Sequence, residues 1–187
     1  MAAADFGADA VYAASKSYGM RAFADNFTPE EIARAADYLH QRGKKLYITM
    51  NAVFHAQDFA GLDNYIAALR DAAVDAFIVT DPGVMFACRR IAPDVPLHLS
   101  TQANTTNAAS ARFWHEQGIS RVILSRELSL EEIAEIRANT PKTLELEAFV
   151  DGAMCIAYSG RCLLSSFFTG RSGNSGACAQ PCRWEYH

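Results

Sequence analysis

Short apolar, β-branched and aromatic stretches alternate with longer amphipathic stretches along most of this chain. Several of the short stretches are apolar at consecutive positions, which is typical of parallel strands covered on both faces. They predict six strands, at residues 8–14, 45–51, 76–81, 96–101, 120–125 and 143–150. A regular alternation of strands and helices with short connections predicts an α/β fold with a parallel sheet.

Helices are predicted between these strands from capping residues and apolar spacing. Thr28 and Ser129 each precede a glutamate placed for a capping box, and Pro29 stands at a first helical position. Residues 61–73 and 107–118 carry apolar side chains at helical spacing, and the second stretch closes on a glycine.

Both a (β/α) barrel and an open doubly wound sheet accommodate six such units. Polar side chains just after the strands favour the barrel, because there the carboxyl ends of all strands converge on one face, where active sites form. These residues are Asn51, Asp81, Ser100, Gln102, Asn104, Arg126, Glu127 and Asp151. Asp81, which precedes Pro82, is equally consistent with a helix cap. We predict a TIM-type barrel.

A closed barrel of this type has eight strands, and the pattern supplies about six. The first predicted strand begins within a few residues of Met1, and the chain stops directly after a cysteine-rich region. We therefore expect an incomplete barrel at residues 1–150, a cysteine-rich segment at residues 151–187 packed on it, and further sequence beyond residue 187 in the full-length protein.

Composition changes this picture little. The 187 residues are 50% hydrophobic and 20% charged, with a net charge of −4, which is ordinary for one soluble globular domain. No run of eighteen apolar residues and no signal peptide is present, so we predict no membrane span and a cytoplasmic location. The mild acidity argues against a strong general affinity for nucleic acid but leaves room for a local basic patch.

Four of the five cysteines lie close together, as Cys155, Cys162, Cys178 and Cys182 in the spacing C-x6-C-x15-C-x3-C. Thiolates suit iron–sulfur clusters and zinc, and reduced cytoplasmic thiols argue against disulfides. The spacing is that of neither a ferredoxin nor a zinc ribbon. An iron–sulfur cluster, a zinc ion and unligated thiols therefore remain open. Cys88, in a helical stretch, is predicted to be a buried small apolar side chain.

Other candidate chemistry lies near the strand ends and among the cysteines. His98 could be an acid–base group or a hydrogen-bonded core histidine. Neither an H-E-x-x-H zinc motif nor a G-x-S-x-G elbow occurs. Four arginines could bind phosphate or carboxylate, namely Arg126, Arg161, Arg171 and Arg183. Three of them are interleaved with the thiols and suggest a site for an anionic ligand, including a planar one, because aromatic residues lie beside them, namely Tyr158, Phe167, Phe168 and Trp184.

Several longer motifs resemble peptidase family U32 and, within it, most closely the proteins of tRNA 5-hydroxyuridine synthesis. They are GADAVY, GKKLYITMN, LHLSTQAN, RVILSRELSLEEIAEIR, AYSGRCLLSS and CAQPCRWEY. The resemblance implies a TIM-type barrel followed by further sequence. It also implies oxygen-independent hydroxylation of a tRNA uridine, a ribosomal RNA cytidine or a ubiquinone precursor, or the peptidase activity attached to other members.

The resemblance also implies a cofactor and a donor. A [4Fe–4S] cluster would be held by Cys155, Cys162 and Cys178, with Cys182 or a downstream cysteine as the fourth ligand, and a prephenate-like anion would be the donor. Where the family usually has histidine in FVHGA, this chain has Asp151.

The leading hypothesis is a tRNA uridine hydroxylase with a cysteine-ligated [4Fe–4S] cluster, or alternatively zinc. Its predicted catalytic residues are His98, Gln102, Asn104, Glu127 and Asp151. The residues predicted to bind the anionic donor or RNA phosphate are Asn51, Arg126, Arg161 and Arg171. The other hypotheses are a collagenase-like peptidase, a hydroxylase of another family substrate, and a metal-stapled module that binds RNA or a partner subunit.

Overall fold

The computed structural model describes residues 2–15, 18–20, 26–152 and 154–186 and confirms a parallel α/β sheet. Within them, six strands lie side by side in chain order, and every neighbouring pair is parallel. The strands are β1 Ala10–Ala14, β2 Lys45–Met50, β3 Ala76–Val79, β4 Leu97–Leu99, β5 Ile119–Ile123 and β6 Glu145–Glu147. Because crossovers are right-handed, this order places the connecting helices on one face. The sheet is a curled half-barrel rather than a doubly wound sheet.

The helices of the described residues lie between and after these strands. They are α1 Ala2–Asp5, α2 Pro29–His40, α3 Leu62–Asp71, α4 Pro82–Ile91, α5 Ala108–Glu116, α6 Leu130–Ala138 and α7 Leu164–Thr169. None of these helices has the length and apolar content needed to cross a membrane. Sequence analysis missed α7, because six residues are too few for a helical period to be recognised.

Helix starts follow the predicted capping residues. Thr28 Oγ1 accepts a hydrogen bond from Glu31 N at 3.3 Å, and the Glu31 carboxylate accepts one from Thr28 N at 2.8 Å. Ser129 forms the same capping box at α6. Asp81 begins α4, where its carboxylate accepts a hydrogen bond from Gly83 N at 2.7 Å. Asp81 is therefore a helix cap.

Alternate residues of the central strands pack on opposite faces of the sheet. Ile48 and Phe77 have no exposed surface and contact the large core between the sheet and its helices. Tyr47 and Ile78 belong to a smaller apolar cluster on the inner face. Burial on both faces explains why these strands are apolar at consecutive positions.

The inner face becomes charged toward β6. Arg121 of β5 lies between His98 of β4 and Glu145 of β6 in the parallel register. Its guanidinium donates to Glu145 at 2.7 Å and to Glu147 at 3.2 Å. Its central carbon lies 5.3 Å from the centroid of the Tyr47 ring. The half-barrel therefore has an apolar inner surface at β2 and β3 and an ion-paired one at β5 and β6.

Cys88 lies on α4 as a free thiol with no exposed surface, which confirms the prediction of a buried small side chain. Burial raises the pKa of this thiol to about 12. Cys88 is therefore protonated at neutral pH and plays no part in the site described below.

Candidate functional site

The loops that follow β2 and β4 are joined by amide and hydroxyl groups at the carboxyl edge of the sheet. Asn51 Nδ2 donates to Ser100 Oγ at 3.1 Å and to Gln102 Oε1 at 2.9 Å. The Ser100 hydroxyl also hydrogen-bonds to Gln102 Oε1. Two of the predicted site residues, Asn51 and Gln102, are therefore in direct contact although 51 positions separate them in the chain.

Buried polar atoms that lack a hydrogen-bond partner within the described residues concentrate at this same edge. They are Asn51 Oδ1, Thr80 Oγ1, Asn104 Oδ1 and Nδ2, Thr105 Oγ1 and Arg126 Nε, together with His98 Nδ1 on the inner face. Asn104 also adopts a left-handed backbone, with φ 56°, which asparagine tolerates better than most residues. Because unpartnered buried polar groups are costly, their concentration marks a place where a polar ligand can bind.

The cysteine-rich segment is attached to the carboxyl edge through Ser159. The Glu127 carboxylate accepts hydrogen bonds from Ser159 N at 2.7 Å and from Ser159 Oγ at 2.8 Å. Ser159 Oγ also lies 3.2 Å from Ser125 Oγ, and the Ser159 side chain is wholly buried. Ser159 has φ 39° and ψ 38°, a left-handed conformation that costs a non-glycine residue about 1–2 kcal/mol. We call this contact the Glu127–Ser159 clamp.

Glu127 is thus placed as an anchor for the segment. Burial raises the pKa of this carboxyl, but the two hydrogen bonds from Ser159 and the charge of Arg126 outweigh burial, so the pKa lies below its usual range. Sequence analysis predicted Glu127 as a catalytic residue and did not single out Ser159, which lies in the AYSGRC stretch between Cys155 and Cys162.

The loops that follow the strands surround an opening at the carboxyl edge of the sheet, which we call the mouth of the half-barrel. Two of the predicted anion-binding arginines also contact backbone across this mouth. Arg126 Nη2 donates to the Ala157 carbonyl at 3.2 Å. The guanidinium of Arg161 donates to the Gln102 carbonyl through Nε at 3.3 Å and through Nη2 at 3.2 Å. These contacts and the clamp hold the start of the cysteine-rich segment above the loops that follow β4 and β5.

Two other predicted site residues, Arg171 and Asp151, are exposed. Arg171 is exposed and its Nε donates to the Ala177 carbonyl at 3.0 Å, within the cysteine-rich segment. Asp151 is exposed in the turn that follows β6.

A cavity of about 160 Å³ lies where the loop after β2 meets the cysteine-rich segment. Its lining residues include Tyr18, Asn26, Val53, Phe54, Asp58 and Ser175.

His98 is 4% exposed on the inner face, one strand residue before the edge. Its ring packs edge-on against Tyr47, with centroids 4.7 Å apart. Burial, together with the charge of Arg121, lowers the pKa of His98 to about 4, so the imidazole is neutral at physiological pH. A neutral imidazole with one unpartnered nitrogen can donate to or accept from a ligand, depending on its tautomer.

The four clustered cysteines are all free thiols in the structure. Cys155, Cys178 and Cys182 are exposed, and Cys162 is half-buried. Cys162 Sγ accepts a hydrogen bond from Leu164 N at 3.4 Å, and Cys178 Sγ accepts one from Gln180 N at 3.3 Å. Backbone N–H···S bonds of this kind stabilise thiolate ligands, so the donor chemistry fits a metal or an iron–sulfur cluster.

Among the described residues, the positions of these thiols do not form a metal site. In the described part of the chain, no three cysteine, histidine, aspartate or glutamate side chains are grouped closely enough to hold a metal ion. A Cβ built on Gly173 would lie 3.8 Å from both Cys178 Sγ and the Cys162 carbonyl oxygen, so these two cysteines flank one glycine. The assignment of all four cysteines as ligands stays a prediction.

Sequence comparison matches residues 1–187 to peptidase family U32, in agreement with the resemblance noted above. The tRNA hydroxylation protein P1 of Bacillus subtilis is 47% identical over 184 residues. The tRNA hydroxylation protein P of Escherichia coli is 45% identical over 185 residues. The 23S rRNA 5-hydroxycytidine C2501 synthase of Escherichia coli is 37% identical over 180 residues.

These alignments cover 98%, 97% and 96% of this chain but only 43%, 40% and 27% of the three relatives. The chain therefore spans less than half the length of each. The solved structure of the U32 peptidase Mk0906 superposes with a TM-score of 0.62 at 18% identity, over 76% of this chain and 60% of that one. This likeness supports the half-barrel fold.

Replacing Glu127 with glutamine should loosen the clamp, because a neutral amide accepts the Ser159 hydrogen bonds less strongly than a carboxylate. We expect amide hydrogen exchange in residues 154–163 to become severalfold faster in Glu127→Gln. The exposed residue Glu135 on α6 provides a matched control, and Glu135→Gln should leave this exchange unchanged. Equal protection of residues 154–163 in both variants would show that the clamp does not hold the segment.

Stability should depend on pH through His98. Its folded pKa of about 4 lies below the ordinary value of 6.5, so the unfolded chain binds the proton first as pH falls. The linkage lowers the free energy of unfolding by about 2 kcal/mol between pH 8 and pH 5, and the loss continues through the folded pKa and levels off below about pH 3. Chemical denaturation should show this loss in the wild type and a flatter dependence in His98→Gln. Parallel pH curves would contradict a buried neutral imidazole.

Proposed function

This chain belongs to peptidase family U32, and on that premise we propose that it is part of an enzyme that hydroxylates C5 of a tRNA uridine. The observation that carries the proposal is the concentration of unpartnered polar groups at the mouth of the half-barrel, in a chain 47% identical to a tRNA hydroxylation protein. A cytoplasmic location and tRNA as the partner are part of the proposal.

The polar groups at the mouth suit a pyrimidine base. Uracil presents one N–H donor between two carbonyl acceptors, and a primary amide offers one acceptor and a donor group at matching spacing. Asn104 has both amide atoms unpartnered, and Asn51 has its carbonyl oxygen unpartnered. Enzymes that modify a base read its edge in a pocket after the base has left its stack. We assign Asn104 and Asn51 to the uracil edge, with Gln102 as the residue that orients Asn51.

The anionic donor would bind beside the base. Arg126 and Arg161 each use part of the guanidinium to hold backbone carbonyls, and Arg126 keeps Nε unpartnered. A guanidinium with remaining N–H groups binds a carboxylate in a fixed orientation. This arrangement supports a small carboxylate donor, such as a prephenate-like anion, at the opening between the strand ends and the cysteine-rich segment. Arg171, exposed on that segment, would contact RNA phosphate.

We assign Cys155, Cys162 and Cys178 to an iron–sulfur cluster, with Cys182 as the fourth ligand in this chain. When bound, such a cluster would supply the electron transfer that a hydroxylation without molecular oxygen needs, whereas zinc would be structural only. The clamp supports the assignment, because Ser159 anchors the backbone between Cys155 and Cys162 against the mouth. Neutral His98, on the inner face, would hold or pass a proton.

Two alternatives have less support. Hydroxylation of a ribosomal RNA cytidine fits the 37% identical relative, but the two relatives named for tRNA hydroxylation are 47% and 45% identical. A collagenase-like peptidase would need a nucleophile with its base or a zinc motif, and the sequence contains neither G-x-S-x-G nor H-E-x-x-H.

Nucleoside mass spectrometry of tRNA tests the function. The gene should restore 5-hydroxyuridine in tRNA of a strain that lacks its own hydroxylase, and Asn104→Ala should lower the restored level at least about tenfold, the cost of losing one good base-edge contact. Asn139→Ala, at the residue that caps the C-terminal end of α6, is the matched control and should restore the wild-type level. Restoration of 5-hydroxycytidine in ribosomal RNA alone would replace tRNA by rRNA as the substrate.

Metal analysis tests the cofactor. Anaerobically purified protein should contain about four irons and four sulfides per chain, the content of one [4Fe–4S] cluster. Cys155→Ala and Cys182→Ala should lose both, and Cys88→Ala, which removes the buried thiol, should keep them. Iron lost only with Cys155 would move the fourth ligand to another residue. One zinc without sulfide would make the segment a structural staple and overturn the cluster.

A further inference from the structure

Four aromatic side chains form an exposed group on the cysteine-rich segment. The Phe168 ring lies 5.2 Å from Phe167, 6.2 Å from Trp184 and 6.3 Å from Tyr186, measured between centroids. Phe167 is 82% exposed and Tyr186 is 62% exposed. We call Phe167, Phe168, Trp184 and Tyr186 the aromatic platform. Contiguous exposed rings of this kind mark an interaction surface.

The platform is held in place by its own hydrogen bonds. Ala179 N donates to the buried Ser165 Oγ of α7 at 2.9 Å, which joins the two parts of the segment that carry the rings. Tyr186 donates its hydroxyl to the Pro181 carbonyl at 2.7 Å. The backbone that carries the rings and the Tyr186 hydroxyl are therefore held in place before any ligand binds, which lowers the entropy cost of binding.

The charge around the platform is opposite to that of the whole chain. Residues 154–186 contain three arginines, no lysine and one glutamate, a net charge of +2 within a chain of −4. Arg183 directly precedes Trp184, and Arg171 follows α7 by two residues with its Nε fixed on the Ala177 carbonyl. Rings flanked by arginines on an otherwise acidic protein favour a polyanion with flat apolar groups over an apolar protein surface.

We propose that the aromatic platform stacks unpaired RNA bases while Arg171 and Arg183 contact the neighbouring phosphates. The proposal rests on the proposed function and extends it, because it gives the RNA a second contact outside the pocket that receives the modified base. Stacking accepts any base, whereas the amides at the mouth read one. The platform would therefore supply affinity for single-stranded loops, and the mouth would supply the choice of uridine.

Binding of an unstructured single-stranded oligoribonucleotide, followed by fluorescence anisotropy, tests the platform. Phe167→Ala should weaken binding about tenfold, in line with the loss of one stacked base. Phe167→Trp keeps an aromatic ring and should bind with the affinity of the wild type. Arg183→Gln should weaken binding and reduce the salt dependence by about 0.7 in log–log slope. Phe6→Ala, which removes a ring that is 92% exposed before β1, and Arg34→Gln on α2 are the matched controls and should bind like the wild type.

Other outcomes overturn the proposal. Equal affinities of Phe167→Ala and Phe6→Ala would exclude stacking, and an equally strong affinity for duplex RNA would reduce the surface to phosphate binding. Self-association lost in Phe167→Ala with RNA binding unchanged would make the platform a protein interface. Oligoribonucleotide binding that needs Phe167 without any 5-hydroxyuridine formation would refute the proposed hydroxylation alone, and hydroxylation with binding insensitive to Phe167 would refute the platform alone.

Discussion

Each strand of the sheet pairs in parallel with the strand that follows it in the chain, and this register brings the carboxyl ends of all six to one edge. The pairing is maintained by burial on both faces, with the helices packed on one side and Tyr47 and Ile78 on the other. The amides, hydroxyls and guanidinium groups that follow the strands lie close together only because of this parallel pairing. Asn51 and Gln102 are in contact for this reason.

The second constraint is the attachment of the cysteine-rich segment to that edge. Ser159 keeps a strained left-handed backbone because the Glu127 carboxylate accepts both its backbone and its hydroxyl hydrogen bonds. Arg126 and Arg161 add contacts to backbone carbonyls across the same opening. In its described residues the segment has no strand and one short α-helix, and these contacts hold it above the loops that follow β4 and β5. The segment that carries the proposed cofactor ligands is thereby fixed beside the amides proposed to read uracil.

Sequence reasoning reached the six strands, the capping boxes and the polar strand ends because these follow from local periodicity and fixed spacing. It also recognised the family from long motifs such as RVILSRELSLEEIAEIR. It did not find that Glu127 anchors Ser159, since a carboxylate after a strand has the same pattern whether it binds a ligand or a loop. The ion pairs of Arg121 were missed as well. They depend on the register between β5 and β6, which no single stretch encodes.

The central claim is that a uridine binds at the carboxyl edge of the strands, beneath the cysteine-rich segment. Photo-crosslinking of the full-length protein to tRNA carrying 4-thiouridine at the modified position tests it most directly, because the thiocarbonyl reacts only with residues in contact. The account predicts the strongest crosslinks to residues 51 and 100–105, and weaker crosslinks to residues 126–127. Crosslinks confined to the outer helices, such as α3 and α5, would contradict it.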